Sequence, residues 1–141
     1  MWQNVLFDAG VITIYSLVGI MLMIIGFLAV DLITPGKLPV LLWEHQSPNA
    51  IVLVSSSLLA VAMIVVTAIM ASFDDLVLGV VTTFIYGVVG IIVMSLSFLL
   101  IDAITPTNIR NMVSQENLTP AVWVNASAYI GIAAIMCAAI Y

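Results

Sequence analysis

The sequence predicts an all-α integral membrane protein with four transmembrane helices. Of its 141 residues, 65% are hydrophobic and only 6% are charged, whereas roughly a quarter of the residues in a soluble domain are charged. The chain also contains four long apolar stretches and an internal repeat. We therefore exclude a soluble protein and expect one membrane domain over residues 1–141, with no room for a separate catalytic domain.

Four apolar stretches are long enough to cross a bilayer, which takes about 20 residues of α-helix. They run from Ala9 to Val30, Ala50 to Ala71, Leu76 to Ile101 and Ala121 to Tyr141. In lipid, a helix is the open-chain structure that satisfies its own backbone hydrogen bonds. No Lys or Arg precedes the first stretch, so we expect a retained first helix rather than a cleaved signal peptide.

The most informative feature is an internal duplication. A shift of 71 positions aligns residues 14–35 with residues 85–106, and 12 of the 22 pairs are identical. The matches include Asp31 with Asp102 and two Thr-Pro pairs. Shared hydrophobicity alone does not place two aspartates and two Thr-Pro pairs in one register, so we interpret the pattern as a duplicated helix pair.

The duplication predicts two tandem helical-hairpin repeats, at about residues 9–71 and 76–141. Since each repeat holds two spans, both insert the same way up, a parallel topology with a pseudo-two-fold axis along the membrane normal. A cap-plus-proline pair, Ser47-Pro48 or Thr119-Pro120, is expected to begin the second span of each repeat. Between the spans, apolar residues recur at i, i+3 and i+4, which predicts a short interfacial helix in each link. These residues are Leu38, Leu41 and Leu42 in the first link and Ile109, Met112 and Val113 in the second.

The two basic residues predict the orientation. Lys37 and Arg110 both lie in the long links, whereas the termini and the central turn carry only acidic charges. By the positive-inside rule, the long links are cytoplasmic and both termini are outside.

Charge and reactive side chains exclude several functions. The chain has two basic and seven acidic residues, for a net charge of −5, so it lacks the basic patch that nucleic-acid binding needs. A single cysteine, Cys137, and a single histidine, His45, do not form a metal site or a catalytic triad. We expect no metal, no cofactor and no enzymatic activity.

The duplicated short spans, with Asp31-x-x-Thr34-Pro35 followed by a polar link into an Asn- and Ala-rich second span, resemble the YjfL-like family of small bacterial inner-membrane proteins. The resemblance covers nearly the whole chain, including the segment around Asn125. It implies a four-span protein of the bacterial inner membrane. The family is domain of unknown function family 350, and it offers no catalytic residues to transfer to this sequence.

The two aspartates are the first candidates for a polar site. An ionised carboxylate within a span is costly and usually faces water, a partner or a functional cavity. Asp31 and Asp102, at equivalent places in the two repeats, could form a cation or proton site together with Asn125. The alternative is that each aspartate sits at headgroup depth and bonds to the threonine three residues on, Thr34 or Thr105.

Small residues within the spans are the second candidates. At intervals of four or seven they allow helix backbones to approach closely, and hydroxyl groups can bond across helices. The alternative is a narrow polar path through the bundle, but the spacing favours packing. The predicted packing residues are Gly19, Gly26, Gly79, Thr83, Gly87, Gly90, Ser127 and Gly131.

The function predicted from these features is non-enzymatic. Small-residue faces are abundant and a catalytic set is missing, which indicates an interaction or accessory subunit. The expected partners are the lipid bilayer and either copies of the chain or other membrane-protein subunits. The alternative is a small ion or proton channel or transporter that uses the pair Asp31 and Asp102.

Overall fold

The structure, a computed structural model, describes residues 1–33, 43–44, 47–72, 74–104, 117 and 120–141. These residues form four helices, α1 (Trp2–Ile33), α2 (Pro48–Met70), α3 (Leu76–Ile104) and α4 (Pro120–Ile140). Each helix is long and apolar enough to span a membrane. The predicted all-α class with four candidate spans is therefore confirmed. The two predicted interfacial helices lie outside the described residues.

The helices are longer than the predicted spans at several ends. α1 begins at Trp2, seven residues before the predicted Ala9, and α3 continues to Ile104 rather than Ile101. Residues 2–8 contain no proline or glycine, so nothing in the chain stops the helix where the hydropathy falls. Residues 2–10 of α1 are all exposed, so this end of the helix has no packing partner among the described residues.

A side-chain cap stabilises the start of α2. Ser47 has an extended backbone, with φ −63° and ψ 119°, and its hydroxyl oxygen accepts a hydrogen bond from the backbone N–H of Ala50 at 3.5 Å. Pro48 occupies the first turn, where its missing N–H would have no intrahelical partner. The predicted cap-plus-proline start is confirmed here. Its counterpart Thr119 lies outside the described residues.

The acidic turn between α2 and α3 also has a capping role. Asp75 Oδ1 accepts from the backbone N–H groups of Val77 at 3.0 Å and Leu78 at 3.2 Å. A carboxylate at this position satisfies two orphan donors and is stabilised by the positive end of the helix dipole. The neighbouring Asp74 is exposed.

α2 is the centre of the bundle. It packs against all three other helices and most extensively against α4, while α1 and α3 also pack against each other. Half of the residues in the most hydrophobic 18-residue stretch of α2 are buried, whereas 17% are buried in the corresponding stretch of α1. The largest side chains of the core come from all four helices, and they include Leu22, Val61, Ile64, Met94 and Val122.

The two predicted repeats bury equivalent residues in their second spans but not in their first. Each buried residue of α4 lies 72 positions after a buried residue of α2, the spacing that also separates Ser47 from Thr119. These pairs are Ala50/Val122, Leu53/Asn125, Val54/Ala126, Ser57/Tyr129 and Val61/Ala133. By contrast, no buried residue of α1 lies 71 positions before a buried residue of α3. The first spans thus use different faces for packing.

The packing of α1 on α3 shows how the first spans differ. Leu22 of α1 lies directly over Gly87 of α3, although the repeat counterpart of Gly87 is Ser16. A two-fold axis along the membrane normal would keep counterparts at equal depth. Because Leu22 follows Ser16 by six residues, this contact does not join repeat counterparts, and α1 is displaced along the bundle, towards its own N-terminus, relative to α3.

Candidate functional site

The two aspartates lie near the ends of α1 and α3 that lead into the long links. Asp31 and Asp102 are both half-buried, and each is within the last three residues of its helix. Thr34 and Thr105 lie outside the described residues, so the predicted aspartate–threonine bonds stay predictions.

An aromatic pair joins α3 to α4 beside Asp102. The rings of Phe98 and Tyr129 stack with their centroids 3.8 Å apart and an angle of 28° between planes. Both side chains are buried. Asp102, one turn after Phe98, is close enough to interact electrostatically with the Tyr129 phenol.

Asn125 lies one turn before Tyr129 on α4. The residue is only 3% exposed, and its Nδ2 atom has no hydrogen-bond partner among the described residues. Buried amide groups in proteins are nearly always paired, because leaving one unpaired costs roughly 1–3 kcal/mol.

Three of the predicted packing glycines leave a notch in the surface of their helix, and a side chain from another helix fills each notch. A Cβ atom at Gly26 would lie 2.5 Å from Val61, and the same distance separates such an atom at Gly87 from Leu22 and at Gly90 from Ile64. Since real Cβ contacts are not this short, these helices approach only because the position is glycine.

Gly19 faces a more open part of the α1–α2 seam. A Cβ atom there would meet Val65 at an ordinary 3.6 Å. A groove of about 570 Å³ runs along this seam and is lined almost entirely by apolar side chains. At its end, the Tyr15 hydroxyl lies 3.4 Å from the Ser72 hydroxyl, so the pair ties α1 to the turn after α2.

The remaining predicted packing residues divide into buried and exposed groups. Gly79 and Thr83 are buried on α3, and the Thr83 hydroxyl has no hydrogen-bond partner in the described structure. Ser127 and Gly131 are exposed on α4. No atom of another described residue comes within 4 Å of the Cβ position of Gly131, and Ser127 donates its hydroxyl to its own helix at the Trp123 carbonyl.

One polar contact was not predicted from the sequence. Asn49 is fully buried in the first turn of α2, and its Nδ2 donates to the backbone carbonyl of Asn117 at 3.1 Å. The bond anchors the second link to the start of α2. The sequence does show a polar amide directly after the Ser-Pro helix start. It does not show the partner of this amide, which lies 68 residues away and is not marked by any motif.

Among the described residues, no three His, Cys, Asp or Glu side chains are close enough to share a metal ion. The chemistry that the described structure offers is therefore hydrogen bonding, a carboxylate at the link end and close helix contact.

Four helices that are each long and apolar enough to cross a membrane define a multi-pass transmembrane protein. Residues 1–140 match the family described as Domain of Unknown Function (DUF350), and the chain belongs to this family. The resemblance inferred from the duplicated pattern is thus confirmed.

Mycobacterial proteins are among its relatives. A UPF0719 transmembrane protein of Mycolicibacterium paratuberculosis is 31% identical over 138 residues, which cover 97% of this chain and 91% of the relative. A UPF0719 transmembrane protein of Mycobacterium bovis is also 31% identical, over 90% of this chain and 84% of the relative. No solved structure matches the chain. The relatives' names specify a transmembrane protein, and neither these names nor the family description specifies an activity.

Proposed function

We propose that this protein is a non-enzymatic membrane subunit that associates with copies of itself through an open face of α4. The face consists of small residues on one side of the helix, and all of them are exposed: Ser127, Gly131, Ala134 and Ala138. We call it the small-residue face.

The observation that carries the proposal is the contrast between filled and open glycine positions. The notches at Gly26, Gly87 and Gly90 are occupied by side chains of the chain itself, whereas the position of Gly131 is open. Ser127 and Gly131 have the four-residue spacing that lets two membrane helices approach closely. A lipid chain gains little from such a surface, but a second helix gains extensive van der Waals contact.

Cysteine cross-linking in native membranes tests this proposal. Cys137 is first replaced by alanine, which removes the single native thiol. Gly131→Cys should then give a disulfide-linked dimer under mild oxidation. The matched control is Ile24→Cys, at a residue of α1 that is 56% exposed and away from the proposed face. Equal cross-linking at both positions, or none at Gly131→Cys, would contradict the proposal.

We also propose an orientation in a bacterial inner membrane, which rests on the two basic residues and not on the α4 contact. Lys37 and Arg110 favour cytoplasmic long links, with both termini outside. A C-terminal alkaline phosphatase fusion should therefore be active, and a C-terminal fluorescent protein dark. The opposite pattern would reverse the orientation without affecting the proposed contact.

A second candidate function is ion or proton passage, which the buried amide of Asn125 favours because a buried polar group within a span can mark a permeation path. Flux into proteoliposomes that is lost on replacing both Asp31 and Asp102 with asparagine would support it. Equal flux in the variant and the unmodified protein would reject it.

A further inference from the structure

The groove along the α1–α2 seam has the length of one leaflet of a bilayer. Its lining runs from Val11 to Met23 on α1 and from Ala62 to Ile69 on α2. At 1.5 Å per residue, these stretches are about 18 Å and about 10 Å long. Ile69 lies near the end of α2, so the groove begins at the end of the bundle that carries the α2–α3 turn, which we call the turn end. It covers about half of a hydrocarbon core that is about 30 Å thick.

The lining and length of the groove suit a single hydrocarbon chain. Its walls are almost entirely apolar, so water has too few polar partners to occupy it. An empty groove would lose the dispersion contacts of its lining. A second transmembrane helix would contact the chain through both leaflets, whereas an acyl chain is confined to one leaflet, as the groove is. The groove therefore fits a lipid chain better than a helix.

A hydroxyl pair lies at the turn end of the groove. The Ser72 hydroxyl donates to the Ile69 carbonyl at 2.6 Å, so its oxygen is the acceptor in the contact with Tyr15. The Tyr15 O–H group then spans 3.4 Å, which is long for a hydrogen bond between two oxygen atoms. A lipid ester or phosphate oxygen at a shorter distance would be a better acceptor for this phenol.

The charged side chains that the structure describes at the turn end are all acidic. Asp8 lies on the groove side of α1, because it precedes Val11 by three residues and Ile12 by four. Asp74 lies in the adjoining turn, and both carboxylates are exposed. The two basic side chains of the sequence belong to the long links, at the other end of the spans. This end therefore attracts a headgroup with an ammonium group and repels an anionic headgroup.

We propose that the α1–α2 groove binds one acyl chain of a phosphatidylethanolamine molecule from the leaflet at the turn end. The ammonium group of this lipid faces Asp8, and the Tyr15 hydroxyl donates to one of its ester or phosphate oxygens. The groove lies on α1 and α2, whereas the small-residue face lies on α4. The lipid site and the proposed self-association can therefore fail separately.

Native mass analysis of the full-length protein tests the headgroup preference. The protein is mixed with phosphatidylethanolamine and phosphatidylglycerol that carry identical acyl chains. Phosphatidylethanolamine should bind about fivefold more tightly or better, because an interfacial charge changes lipid binding by roughly this factor. Asp8→Asn should reduce this preference to about twofold or less. The matched control is Glu44→Gln, which removes an exposed carboxylate from the first link and should leave the preference unchanged.

Two glycines of α1 test the location of the acyl chain. Gly19 lines the groove, and a Cβ atom there makes an ordinary contact, so Gly19→Leu fills the groove without a backbone clash. This variant should weaken phosphatidylethanolamine binding by about fivefold or more. Gly10→Leu adds the same side chain to the same helix, at a position where a Cβ atom meets nothing within 4 Å, and should change binding by less than about twofold. Circular dichroism checks that both variants fold.

Photolabelling tests the unmodified protein, so its outcome does not depend on the folding of a variant. Phosphatidylethanolamine with a diazirine midway along one acyl chain should label groove residues such as Met23 and Val66. Labelling of exposed α3 residues to the same extent, or equal binding of the two lipids, would overturn the proposal. A groove covered by a second copy of the chain would carry no label, which would also overturn it.

Discussion

The side chain of Leu22 occupies the space that a side chain at Gly87 would need. Leu22 is fully buried, and a Cβ atom at Gly87 would lie 2.5 Å from its Cδ1 atom. The repeat counterpart of Leu22 is Val93, which is 38% exposed. One leucine and one glycine thus hold α1 out of register with α3, so the duplicated sequence forms a bundle whose halves are unequal.

Cysteine pairs can measure this register directly. In a chain with Cys137 replaced by alanine, Leu22→Cys with Gly87→Cys should form an intramolecular disulfide. The pair Ser16→Cys with Gly87→Cys, which joins repeat counterparts, should not. Electrophoresis of oxidised membranes separates the two results, and cross-linking only of the counterpart pair would show that α1 is not displaced.

Leu22→Ala should destabilise the bundle by about 2–5 kcal/mol, because it removes a fully buried side chain and leaves a cavity beside Gly87. Leu17→Ala is the matched control, since Leu17 is 60% exposed on the same helix. Denaturant unfolding in detergent micelles measures the difference. Equal losses of stability in both variants would contradict the packing described for Leu22.

Because Asp75 caps α3, it should contribute more to stability than the adjacent Asp74. Asp75→Ala should lower the free energy of unfolding by about 0.5–2 kcal/mol, because the N–H groups of Val77 and Leu78 lose their acceptor. Asp74→Ala removes the same charge from an exposed neighbour and should have a smaller effect. Thermal unfolding followed by circular dichroism compares them. A larger loss in Asp74→Ala would show that charge, rather than capping, matters in this turn.

Asn49→Leu should loosen the second link from the start of α2. The substitution keeps the side-chain size but removes the donor to the Asn117 carbonyl, a bond worth about 0.5–1.5 kcal/mol. Limited proteolysis of the second link should be faster in this variant than in Ser55→Ala, whose side chain is exposed on the same helix. Unchanged cleavage in Asn49→Leu would show that the bond does not restrain the link.

Much of the fold follows from local sequence signals. Apolar length predicts four spans, and Ser47-Pro48 predicts the start of α2, because both depend on residues close together in the chain. The filled notches at Gly26, Gly87 and Gly90 also lie among residues whose spacing predicts close packing.

The parts that the sequence does not predict depend on contacts between distant segments. The register of α1 on α3 depends on which large side chain meets which glycine, and the repeat alone favours equal depth for counterparts. The stack of Phe98 on Tyr129 likewise joins residues without a shared motif. Such contacts depend on complementary volumes, which hydropathy and periodicity do not encode.

The central claim is that the small-residue face of α4 joins copies of this chain. Native mass analysis of the protein, extracted from its membrane in mild detergent, tests it most directly. We expect a homo-oligomer for the unmodified chain and a monomer for Gly131→Leu, which fills the open position without touching the described core. A monomeric unmodified protein, or an oligomer unaffected by Gly131→Leu, would contradict the account.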